Sequence, residues 1–129
     1  MRKITTAWLG GIVAAAALMS GGSTAHAADE PIVVTARFYI TPGQEAAYEE
    51  FGKKVVEYVR RAEPNIIYRL QRSIKDPSVF LFYEVYPSEA AFDNHVKVVL
   101  PAMTKEIGPR PEGILARPPE GEKFRTVEK

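Results

Sequence analysis

Val79-Phe80-Leu81-Phe82-Tyr83-Glu84-Val85-Tyr86 is the stretch on which the reading of this chain turns. Its eight residues lie between Asp76-Pro77-Ser78 and Pro87-Ser88, both turn compositions, and β-branched and aromatic side chains dominate it. A strand covered on one side alternates apolar with polar residues. This one is apolar or aromatic on both faces, with Glu84 as its single charge, so both faces are predicted to be covered.

Working outward, residues 66–73 read as a strand that joins Val79–Tyr86 through the turn at Lys75-Asp76-Pro77-Ser78, forming an antiparallel hairpin. Residues 32–40 alternate, with Ile32, Val34, Ala36, Phe38 and Ile40 on one side and Val33, Thr35, Arg37 and Tyr39 on the other. Thr41-Pro42-Gly43 ends that strand and leads into a helix over residues 44–62. There Ala47, Tyr48, Phe51, Val55, Tyr58, Val59 and Ala62 form one apolar stripe. Its acids lie towards the start and its bases towards the end, which complements the helix dipole. Glu63-Pro64-Asn65 is predicted to stop the helix, with Asn65 tolerating a left-handed turn.

After Val79–Tyr86, Ser88 is the expected N-cap of a helix over residues 89–97 that presents Ala91, Phe92, His95 and Val96. Pro101 is expected to interrupt, with a second short helix at 102–107. Residues 108–121, rich in Gly and Pro, read as irregular, and 123–127 as a weak last strand. The order is βαββαβ, the ferredoxin-like α+β pattern. Short helices can cover only one face of such a sheet. The other face is predicted to be closed by a second copy of the chain, because leaving apolar area wet costs about 25 cal/mol per Å².

The rest of the 129 residues has a different character. Met1-Arg2-Lys3 is positive, residues 4–19 are apolar and uncharged, and Ala25-His26-Ala27 has the small-x-small form of a cleavage site. This is the layout of a secretory signal peptide over residues 1–27, leaving 28–129 as one domain of an exported, periplasmic or secreted protein. The apolar run is shorter than the about 20 residues of a spanning helix, so no membrane insertion is expected after cleavage. With no cysteine, there is no lipid anchor and no disulfide to support the fold. Losing Arg2 and Lys3 from the 17 basic residues leaves them one short of the 16 acidic ones, which gives no electrostatic footprint for nucleic acid.

Several stretches together resemble the antibiotic biosynthesis monooxygenase family: Val33-Val34-Thr35-Ala36-Arg37-Phe38, Thr41-Pro42-Gly43-Gln44-Glu45 and Glu63-Pro64-Asn65-Ile66-Ile67-Tyr68. The most specific runs from Phe82-Tyr83-Glu84-Val85-Tyr86 through Ser88 and Ala91 to His95. The resemblance implies a dimeric α+β barrel with each active site between helices and sheet. It also implies oxidation of quinols or polycyclic phenols by molecular oxygen without metal, haem or flavin. Other members degrade haem, and some have no known catalytic role. Three positions depart from the family's pattern: Tyr86 stands where a tryptophan is usual, Leu100 where a second histidine is frequent, and Asn65 where a glycine is usual.

His95 is the one histidine left once His26 departs, and it can accept and return protons near neutral pH. The plain alternative is a core histidine bonded to a nearby polar group. Glu84, in mid-strand among aromatics, needs Arg37, Arg69, His95 or a water as partner, and it could orient His95. A structural ion pair is the rival reading. Arg37, or else a tyrosine, is the candidate to stabilise a substrate anion. Tyr39, Tyr68, Tyr83, Tyr86 and Phe92 are candidates to line a flat pocket for a small aromatic substrate, against the alternative that each is core or interface. With one histidine and no thiol, a zinc or iron–sulfur site lacks ligands. The expected function is a cofactor-independent monooxygenase with oxygen as co-substrate and His95 as its acid–base group. The rival is a non-catalytic small-ligand-binding or stress protein on the same dimeric scaffold. Haem degradation fits less well, since the only tryptophan, Trp8, lies in the signal segment.

Overall fold

The computed structural model describes residues 30–128; the predicted signal peptide lies outside them. The elements are β1 (Ile32–Tyr39), α1 (Glu45–Ala62), β2 (Ile67–Arg72), β3 (Val79–Tyr86), α2 (Glu89–Asn94), a π-helical segment (His95–Val99), α3 (Leu100–Ile107) and β4 (Glu120–Arg125). The four strands form one antiparallel sheet in the order β2-β3-β1-β4. The fold is the expected ferredoxin-like α+β arrangement, with all helices on one face.

Period-two alternation sets the faces of the sheet. Ile32, Val34, Ala36 and Phe38 are buried beneath the helices, as are Phe80, Phe82, Glu84 and Tyr86 of β3. The intervening residues point from the opposite, outer face. Helix α1 buries Tyr48, Gly52, Val55 and Val59 at four- and three-residue steps. At Gly52 a Cβ would stand 2.4 Å from a Leu70 methyl, so the missing side chain is what lets β2 lie this close to the helix.

Two apolar clusters fill the helix side. The larger centres on Phe38, Tyr48, Val59, Tyr68, Phe80 and Phe82, and the smaller on Ile32, Val34, Tyr86, Phe92 and Val96. Fully burying one such side chain contributes about 1.5–3 kcal/mol, which makes these clusters the main source of stability in a chain without disulfides.

The local signals that held are the polar caps and turns. The Ser88 hydroxyl accepts from the Ala91 amide at 3.1 Å, and Asp76 closes the hairpin by accepting from the Ser78 amide at 3.0 Å. Three expectations need correction. Asn65 is not left-handed: among the described residues only glycines have positive φ. The helix stop at Glu63 instead uses its amide, which donates to the Val59 carbonyl. Pro101 does not break the second helical region. The chain runs on from Glu89 to Ile107 because the turn before the proline widens, with the Leu100 amide donating to His95 five residues back. A wider turn leaves room for the ring that an α-turn would press against a carbonyl. The last strand begins at Glu120 rather than 123.

Candidate active site

At the seam between the two apolar clusters lie the three buried charged or polar side chains of the described residues: Glu63, Glu84 and His95, at 7%, 3% and 2% exposure. Three different elements deliver them. Glu63 caps the end of α1, Glu84 sits in the middle of β3, and His95 opens the π-helical segment. The imidazole Nδ1 is 2.5 Å from Glu63 Oε2. With Glu63 ionised, Nδ1 carries the hydrogen and donates it, which leaves Nε2 as the acceptor.

The second carboxylate is bonded differently. The Tyr86 hydroxyl donates to Glu84 Oε2 at 2.6 Å. Residues two apart on a strand share a face, which is why this short link forms. Burial pushes the Glu84 carboxyl up from 4.5 to about 7, while His95 and the Tyr86 hydroxyl pull it partly back. Burial also raises Tyr68 and Tyr86 well above an ordinary phenol, with the negative charge of Glu84 adding to the effect. The imidazole lies between these two phenol rings, 5.4 Å from Tyr68 and 5.3 Å from Tyr86 by centroid. Phe92 packs edge-on against Tyr86 at 5.3 Å.

The structure therefore brings together His95, Glu84, Tyr68, Tyr86 and Phe92 of the residues singled out in the sequence. It does not bring Arg37, Tyr39 or Tyr83 to them. Arg37 pairs with Leu81, and Tyr83 with Thr35, all on the outer face, so the sheet separates these three from His95. Tyr39 is engaged there too, donating to Glu120 at 3.0 Å beneath the Arg117 guanidinium. Arg69 shares that outer face, so neither arginine partners Glu84. Nor does Glu84 orient the imidazole; Glu63 does. That residue was read only as part of a helix stop. Its signal was an acid at the negative end of a helix dipole, where Arg60 and Arg61 follow the usual preference and Glu63 opposes it.

Stability alone is a poor account of this cluster. Each buried ion carries a desolvation penalty of several kcal/mol even after relaxation, more than one buried aliphatic side chain returns. Such departures from an apolar core concentrate where a protein does chemistry. Among the described residues no group of three or more His, Cys, Asp or Glu side chains is arranged to hold a metal ion. The open groove between α1 and the β2 edge, lined by Glu49, Lys53, Arg60, Leu70, Arg72 and Phe80, contains none of the site residues. Its charged walls are engaged in surface pairs, Lys53–Glu49 and Arg72–Glu49.

Fold and site together define a ferredoxin-like α+β domain with a carboxylate-held imidazole sealed between helices and sheet. The chain belongs to the antibiotic biosynthesis monooxygenase family, whose sequence pattern matches residues 31–98 and so includes Glu63, Glu84 and His95. Among solved structures it is similar to a candidate antibiotic biosynthesis monooxygenase of Caulobacter crescentus. The two are 26% identical over 80% of this chain and 95% of that one, with a TM-score of 0.64. A protein of Mycobacterium tuberculosis shares the fold at 22% identity over 78% and 98% of the two chains, with a TM-score of 0.61. A candidate antibiotic biosynthesis monooxygenase of Nitrosomonas europaea shares it at 18% identity over 77% and 92%, with a TM-score of 0.60. No curated protein matches the chain.

Proposed function

We propose that the protein is a cofactor-independent monooxygenase that oxidises a quinol or phenolic aromatic with molecular oxygen, using His95 as its acid–base group. The observation that carries this reading is the Nδ1 contact of His95 with Glu63, which leaves Nε2 free to take a proton. Family membership and the likeness to the Caulobacter crescentus protein support it.

The steps ask for few groups. A substrate hydroxyl gives its proton to His95 Nε2, and the imidazolium formed is stabilised by Glu63. The substrate anion passes an electron to oxygen, and the two radicals join as a peroxide. Loss of water from the peroxide completes the change, so that a quinol and O₂ become a hydroxyquinone and water. Glu84, whose carboxyl burial raises to about 7, keeps part of its protonated form at neutral pH. In that form it can donate to a developing oxyanion while the Tyr86 hydroxyl holds it in place. Tyr68, Tyr86 and Phe92 supply ring faces in a site screened from bulk water. Arg37 has no part in this scheme.

In this reading the protein is exported and works as a homodimer closed through the outer sheet face. Oxygen uptake with a panel of quinols tests the activity. His95→Ala is expected to lower turnover of an accepted quinol about 100-fold or more. Full turnover by that variant would remove the histidine from the mechanism. The 2% exposure of His95 favours a second reading, a closed ligand-binding protein without turnover. Thermal stabilisation by a quinol without any oxygen uptake would select it.

A further inference from the structure

Lys123 belongs to the part of the chain beyond the family match, and neither the fold nor the mechanism above uses it. Its ammonium nitrogen is sealed from solvent and has no hydrogen-bond partner among the described residues. Strand register places it on the helix side of the sheet. Lys123 pairs with Val34, Val34 with Glu84, and Glu84 with Tyr68, so the lysine ends the cross-strand row that holds the site's carboxylate. Two strand spacings, about 10 Å, separate it from Glu84. Val34 fills the position between them.

The ammonium lies 4.5 Å from the centre of the Phe92 ring. Phe92 meets Tyr86, and Tyr86 meets His95, each at 5.3 Å, so an aromatic wall leads from the lysine to the imidazole. The nearby acids are committed elsewhere. Glu63 holds His95, and Glu84 takes the Tyr86 hydroxyl. Glu120 and Glu122 pair with Arg37 and Thr35, which places them on the outer face. A ring face recovers only part of what an ammonium loses on leaving water. A negatively charged oxygen would satisfy the position, and none of the described residues supplies one.

We propose that Lys123 is the anion-recognising end of the candidate site, and that the site takes a flat aromatic acid. The ligand's carboxylate rests on Lys123, and its ring lies along Phe92 and Tyr86 with its hydroxyl towards His95. This rests on the reading that the aromatic cluster receives a ring, and it narrows the substrate from any phenol to one carrying an acidic group.

Fluorescence titration with 6-hydroxy-2-naphthoate, whose carboxylate and hydroxyl lie at opposite ends of the ring system, and with 2-naphthol, which lacks only the carboxylate, tests it without turnover. The protein is expected to bind the acid at least tenfold more tightly. Lys123→Met should reduce that preference to within twofold while keeping its affinity for 2-naphthol, and Lys123→Arg should retain much of it. Lys123→Met should also melt no lower than the parent, because an unpaired ammonium has gone from the interior. Equal affinity of the parent for both probes would overturn the proposal. So would a preference that survives in Lys123→Met, failure of the acid to bind, or a Lys123→Met chain that melts early or does not fold. Oxygen uptake plays no part in this readout, so a protein with the preference and no turnover separates this proposal from the proposed activity.

Discussion

The imidazole of His95 bonds one carboxylate, Glu63, and meets the charge of a second, Glu84, only through space, and the difference can be measured. Glu63 bonds Nδ1 directly, so its charge decides which nitrogen carries the hydrogen. Glu63→Gln keeps the shape and a hydrogen-bonding oxygen but removes the counter-charge of an imidazolium. Quinol turnover is expected to fall by roughly 100-fold, and a Glu63→Gln enzyme that works at the parental rate would leave the carboxylate without a role. Glu84 acts through burial. Its folded-state value of about 7 stands above the 4.5 of an ordinary glutamate. Below 4.5 it is protonated in folded and unfolded chains alike. Between 4.5 and 7 the unfolded chain has released the proton while the folded one keeps it, so stability declines as pH rises through that window. The loss is on the order of 3 kcal/mol at 1.36 kcal/mol per unit. Melting temperatures of the parent and Glu84→Gln between pH 5 and 8 should therefore diverge, the parent losing more on the alkaline side. Parallel curves would mean that the buried carboxyl does not titrate in this range.

The π-helical segment explains how a helix with a proline inside it can position the buried His95. In an α-helix interior a proline costs about 3 kcal/mol, through a lost bond and a clash with the carbonyl four residues back. Here the widened turn His95–Val99 has already given up that geometry. Pro101→Ala is thus expected to change stability by less than about 1 kcal/mol in urea unfolding, far from the gain that relief of a proline clash would bring. A gain near the full 3 kcal/mol would show that the wide turn is held open against the proline rather than suited to it. Legibility in the sequence follows the same physics. Strand β3 was legible to its last residue because its composition and its bounding turns agree, and Ser88 was legible because capping is local. Pro101 misled because local preference takes the α-turn for granted. Strand β4 was placed late because none of Glu120–Arg125 is buried; pairing with β1 defines it, and its own pattern carries no such signal. The Glu63–His95 contact joins residues 32 apart in sequence, and only tertiary packing brings them together. Faces were readable from parity. Which of the two aromatic faces lies under the helices was not, and Arg37 was therefore assigned to a site that the sheet screens from it.

The outer face of the sheet carries an argument about the assembled molecule. Register lines up Ile67, Val85, Val33 and Phe124 in one row across all four strands. Its two ends, Ile67 and Phe124, are 45% and 43% exposed. The next row, Arg69, Tyr83, Thr35 and Glu122, is basic at one edge and acidic at the other. A twofold axis along the strands would lay the apolar row of one copy against that of its twin and bring each basic edge over an acidic one, as a self-complementary interface requires. The helices occupy only the opposite face, so nothing among the described residues covers this row. Stable interfaces remove about 800 Å² from each partner, an area on the scale of one face of a small sheet. Val33 stands between Val85 and Phe124, near the centre of that contact. Val33→Lys would bury an ammonium without a partner, which typically costs 3–5 kcal/mol and so weakens association at least about 100-fold. Light scattering at micromolar concentration should then give twice the chain mass for the parent and the single-chain mass for Val33→Lys. Because Val33 points away from His95, the near-ultraviolet circular dichroism of the Tyr68–His95–Tyr86 cluster should remain. A parent that scatters as a single chain would leave the apolar row without a second copy to close it.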